Sequence, residues 1–126
     1  MEKRELNRIL KLHKKWMDGE ENGERANLCG MRLQGVNLEG ADLCGAHLRR
    51  ANLDGACLRK ANLERADLRQ ASLVFADLSE ANLTDAVTKG ANFAIASLDQ
   101  AIFDGTIMPD GKVYDPRSHR LWKLVE

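Results

Sequence analysis

The chain has 126 residues, with 19 Lys and Arg against 19 Asp and Glu, so its formal net charge is zero. That balance gives no general attraction to nucleic acid or to an anionic membrane surface, and no apolar run is long enough to span a bilayer. A single domain is expected at this length. The first twenty residues are charged throughout and lack a signal-peptide pattern, which predicts a cytoplasmic protein.

In chain order, the first element expected is a helix. Residues 3 to 17 place Leu6, Ile9, Leu10, His13 and Trp16 or Met17 at helical spacing among Lys, Arg and Glu, and Gly19 and Gly23 mark its end. Residues 26 to 105 then repeat one five-residue phrase sixteen times without insertion or deletion. Phrases such as Ala61 to Arg65 (ANLER) and Ala81 to Asp85 (ANLTD) show its form. Position one is Ala in all but Met31 and Val36, and position three is Leu in all but Thr88, Phe93 and Phe103. Position two is Asn or Asp in nine phrases. Seven of the ten glycines fall at position five, where a corner can demand positive φ.

A fixed short period marks a solenoid, in which each unit buries its apolar face only by stacking on its neighbours. Within a phrase, positions one and three are apolar around a polar position two, as in a short strand with one buried face, and positions four and five turn the corner. The pattern A(D/N)LXX resembles the pentapeptide repeat proteins. That resemblance implies an all-β solenoid, a right-handed quadrilateral β-helix with one phrase per side and four phrases per coil. Four coils then form a rod of about 20 Å, with stacked strands about 4.8 Å apart. The expected organisation is an N-terminal amphipathic capping helix (1–25), the β-helix (26–105) and a C-terminal cap or tail (106–126).

A twenty-residue coil lets the outer sides be written from the sequence. The first side carries the basic ridge Arg49, Arg50, Arg69 and Lys89, with His47 and a single opposing Asp67. The fourth, with Asp42, Glu64, Asp85 and Asp104 against Arg65, is acidic. On the third, Glu39 over Arg59 and Lys60 over Glu80 are expected cross-strand ion pairs. On the second, Val74 stacks on Ala94 and Phe75 on Ile95 at outward corner positions. These four residues are the candidate protein interface, an apolar patch to be covered either by a flanking segment or by another chain.

Other features point to no chemistry. Cys29, Cys44 and Cys57 lie on three different sides and match no zinc spacing, so free thiols are expected. His13, His47 and His119 fall one in each segment. Thr88 interrupts the leucine column, and its hydroxyl is expected to bond to backbone rather than to create a bulge. After Gly105 the chain leaves through a Pro-Asp-Gly turn, and Ile107 and Met108 can begin a partial coil. Asp115 and Pro116 read as the N-cap and first residue of a helix over 116–125 that presents Leu121, Trp122, Leu124 and Val125 toward Phe93 and Phe103.

A prism filled by Leu and Ala leaves no concave ligand site. The expected function is therefore non-enzymatic: a protein-binding or structural module with no catalytic residue, cofactor, metal or small-molecule substrate. Its partner is an unidentified protein or a second copy of the chain. The resemblance also implies an alternative, since some pentapeptide repeat proteins imitate duplex DNA and bind type II topoisomerases such as gyrase, conferring quinolone protection. Eight Lys or Arg against ten Asp or Glu in residues 26–105, with one basic side, depart from the dense negative surface which that role asks for.

Overall fold

The computed structural model describes residues 1–126. Helix α1 (Lys3–Met17) buries Leu6 and His13 and ends at Asp18, whose amide donates back to the Lys14 carbonyl. Gly19 follows at φ +71°, the left-handed exit common at helix ends. The chain then doubles back along the helix, with the Glu24 amide donating to the Leu12 carbonyl at 3.0 Å. Gly23 makes this return feasible. A β-carbon there would meet the backbone of Lys15 and Trp16.

From Asn27 onward each phrase contributes one bridged residue, and every partner in the parallel ladder lies twenty residues away: Asn27 with His47, Arg32 with Asn52, Asn37 with Cys57, Asp42 with Asn62. A five-residue side and a twenty-residue stack define a four-sided β-helix. Its hydrogen bonds are repetitive. The Leu63 amide donates up to Asn82 O (2.8 Å), the Asn62 amide donates down to Ala41 O (2.9 Å), and Ala61 N closes the corner onto Leu58 O (3.0 Å). The ladder runs one side past the last phrase, through Val87 with Ile107.

The preference for Asn and Asp at position two has a local cause. In all nine phrases that carry one, from Asn27 to Asn92, the side-chain oxygen accepts the position-four amide at 2.9–3.3 Å. This is the side-chain mimic of a turn, and it holds each corner closed. Position five is left-handed in every phrase. Seven of the sixteen residues there are glycine, and nine are not.

The core is the stack of position-three and position-one side chains, with Leu28 through Leu83 almost wholly buried and Phe93, Phe103 and Met108 filling the C-terminal end. Thr88 fits among them because its hydroxyl donates to Ile107 O at 2.7 Å, and the ladder passes it without a bulge. Thr106 does the same to Leu83 O at 2.6 Å. No buried side-chain polar atom lacks a partner.

The C-terminal segment differs from the expected helix over 116–125. Asp115 closes a single turn instead, taking the Arg117 amide on its carboxylate (2.9 Å) and the Ser118 and His119 amides on its carbonyl. The His119 ring then locks that turn. Its Nδ1 accepts the Asp115 amide (3.0 Å) and its Nε2 lies 2.9 Å from Asp110 Oδ2, which ties the turn back on itself at His119. Only α2 (Leu121–Leu124) follows. Tyr114 packs on Phe103 with ring centroids 5.7 Å apart, and Leu121, Leu124 and Val125 pack against the core. Trp122 points outward.

Candidate functional site: an apolar corner on the second side

The second side runs from Arg32 through Asn52 and Ser72 to Asn92, and the apolar corner belongs to its last two phrases, 71–75 and 91–95. Ser72 replaces the usual Asn or Asp and does not close its own corner. Asp54, one coil earlier, does so instead: its Oδ1 accepts the Ser72 hydroxyl at 2.5 Å and the Val74 amide at 3.0 Å. The corner above it is thereby fixed. Val74 and Ala94 are half-buried along its edge, while Phe75 is 70% exposed and Ile95 63%.

Both exposed residues sit in the left-handed region, Phe75 at φ +62° and Ile95 at φ +50°. For residues other than glycine this conformation is disfavoured by about 1–2 kcal/mol, most severely for a β-branched side chain. The corner thus carries backbone strain and exposed apolar surface together. The tail reaches the end of this corner, where the Ile95 amide donates to Val125 O at 2.6 Å, but leaves the Phe75 and Ile95 side chains uncovered. Trp122, 61% exposed, lies one turn before Val125.

The basic ridge is brought together on the first side, where Arg49, Arg69 and Lys89 line a shallow open groove with Gln70, Gly90 and Pro109. Its charge is partly spent within the chain. Arg69 grips Asp67 with two contacts of 2.8 and 2.6 Å, and Arg50 Nε donates to Gln70 at 2.8 Å. The Arg69 hydrogen bonds hold the Asp67 carboxyl below the usual carboxylate range. On the third side, Arg59 lies 4.0 Å from Glu39, as the stacking predicts. Glu80, however, pairs with Arg59 at 3.3 Å rather than with Lys60, because a guanidinium reaches diagonally across the corner. The acidic fourth side makes no ion pair with Arg65.

The three cysteines are free. Burial, then Glu64 and Asp42, push the Cys44 thiol up and keep it protonated. No three His, Cys, Asp or Glu side chains are grouped to hold a metal ion, and no helix is long and apolar enough to cross a membrane.

Fold and surface together define a solenoid scaffold whose outer sides, rather than any interior cavity, carry its distinguishing residues. The family model for pentapeptide repeats matches residues 24–59, 46–85 and 76–109, and the chain belongs to that family. HetL, a pentapeptide repeat protein involved in heterocyst differentiation regulation in the cyanobacterium Nostoc sp. strain PCC 7120, is 42% identical over 75% of this chain and 46% of its own, with a TM-score of 0.49. Alr5209 of Nostoc PCC 7120 is 31% identical over 90% and 89% of the two chains (TM-score 0.36), and Rfr23 of Cyanothece 51142 is 28% identical over 73% and 66% (TM-score 0.39). The chain therefore spans less than half the length of HetL. No curated protein matches it significantly.

Proposed function

We propose that this pentapeptide repeat chain is a non-enzymatic module that binds a protein through the corner formed by Val74, Phe75, Ala94 and Ile95. The carrying observation is the pairing of Phe75 and Ile95, two large apolar side chains exposed on left-handed backbone where seven other phrases place glycine. Most of each side chain lies outside the packing of the β-helix. A partner that buried them would gain about 1.5–3 kcal/mol for each side chain. The interior supports a binding rather than a catalytic role, since its columns of Leu and Ala leave no cleft along the prism.

The partner is a protein, with a second copy of this chain as the simplest case. Imitation of duplex DNA is disfavoured by the basic ridge, where Arg49 and Lys89 make no ion pair and interrupt any continuous acidic surface. A photo-crosslinking amino acid placed at position 75 or 95 tests the reading in the producing cell. Discrete adducts are expected there, identified by mass spectrometry as this chain or one other protein, and lost when the neighbouring corner residue is changed to Asp. The same adducts from a probe at Gln100, or none from 75 and 95, would overturn it.

A further inference from the structure

We propose that α1 is a proton-releasable cap: protonating His13 unlatches the helix from the first coil while the β-helix behind it stays folded. The geometry lies in how His13 completes the open end of the solenoid. In the interior, each position-one amide donates to a carbonyl of the preceding phrase, as Ala46 does to Leu43 O. Each position-four carbonyl accepts an amide from the coil before, as Glu64 O does from Gly45. Ala26 has no preceding phrase, and Cys44 has no earlier coil beneath it. His13 supplies both missing partners. Its Nδ1 accepts the Ala26 amide at 2.9 Å, so its one ring proton sits on Nε2 and is donated to Cys44 O, also at 2.9 Å.

The imidazole thus acts as a peptide carbonyl at one nitrogen and a peptide N–H at the other, and only the neutral ring can do both. A proton on Nδ1 would face the Ala26 N–H, donor against donor, at a fully buried site. The surrounding charges oppose one another. Asp42 on the first coil favours the imidazolium, while Arg25, stacked over Trp16 at 4.3 Å, disfavours it. The Cys44 thiol stays neutral. Burial is the dominant influence and lowers the His13 pKa from 6.5, against the hydrogen bond to the Cys44 carbonyl, which favours the charged ring. Because the closed state prefers the neutral ring, the latch is at full strength above that ordinary value and weakens as pH falls below it.

The other contacts of the cap are mostly apolar: Leu6 is buried, Met1, Ile9 and Leu10 pack against the core, and the Trp16 ring stacks on His13, while the terminal ammonium donates to Arg32 O at 3.2 Å. Opening takes α1 off the first coil, whose Leu28, Leu33, Leu38 and Leu43 are almost wholly buried in the closed state and whose position-two amides have no earlier coil to donate to.

The test uses the full chain with Trp122→Phe, which leaves Trp16 as the single indole. Emission and amide exchange are followed from about pH 8 to about pH 4. Trp16 emission should shift to the red with a midpoint below 6.5. Protection of the Ala26 amide, corrected for intrinsic exchange, should fall about tenfold per pH unit inside the window, as expected for one linked proton, while Leu63 and Leu68 keep theirs. His13→Gln, which retains an amide donor but no titrating group, should show no such transition. A flat Trp16 response in the parent, an identical transition in His13→Gln, or loss of Leu63 and Leu68 protection together with Ala26 would each overturn the proposal.

Discussion

Leu73 and Phe93 stand two residues before Phe75 and Ile95 on the same side of the same prism, and the pairs share little else. The first pair is buried to 1% or less, the second is 63–70% exposed. Every inward residue is accounted for by packing: the leucine column fills the interior, alanine keeps it narrow, and the two threonines bond their hydroxyls to carbonyls. The outward pair is accounted for by nothing inside the chain, and its left-handed backbone is strained as well. Every other position-five residue is glycine or polar, so the departure lies in the two large apolar side chains rather than in the backbone, and it is this that motivates the proposed contact.

The inward half of that comparison breaks most sharply at its centre. Leu63→Ala should destabilise the chain by about 2–5 kcal/mol, read by denaturant unfolding, since a coil held on both sides collapses poorly around a cavity. At the cap, Gly23→Ala forces a β-carbon into the backbone of Trp16 and should cost about 1–3 kcal/mol. It should also loosen Trp16, visible in its fluorescence. A smaller change is expected for Thr88→Val, about 0.5 kcal/mol, because Ile107 O keeps the Thr88 amide as a second donor at 2.7 Å. A large loss at Thr88 would mean that its hydroxyl does more than satisfy itself.

The sequence made the β-helix legible because its information is periodic. Once twenty residues are taken as a coil, the stacking of Phe75 on Ile95 and the Glu39–Arg59 pair follow, while the bonded hydroxyl of Thr88 follows from its place in the buried leucine column. What escaped it was not periodic. The diagonal reach of Arg59 to Glu80 depends on side-chain length rather than register. The His13 latch joins a helix to a coil through a packing angle that no spacing encodes. In the tail, Asp115 and Pro116 carry a helix-start signal, but the His119 ring bonds Asp110 and Asp115 and converts it to one turn. The nine turn-closing bonds of Asn and Asp could have been anticipated, because that pair accepts an amide two residues on wherever a corner is tight.

The central claim is that the Phe75 and Ile95 corner serves a contact outside this chain and contributes little to the stability of its own fold. The measurement that meets it most directly is the melting temperature of the double variant Phe75→Asn with Ile95→Asn. Asparagine tolerates the left-handed conformation better than phenylalanine or isoleucine, so each change should relieve up to about 1 kcal/mol of strain. The account predicts a variant that melts at or above the parent temperature and, with the photo-crosslinking amino acid moved to the neighbouring position 74, no longer forms the crosslinks that the same probe forms in the parent. A variant that melts well below the parent would show the two side chains to be internal packing, and the corner would then be no interface.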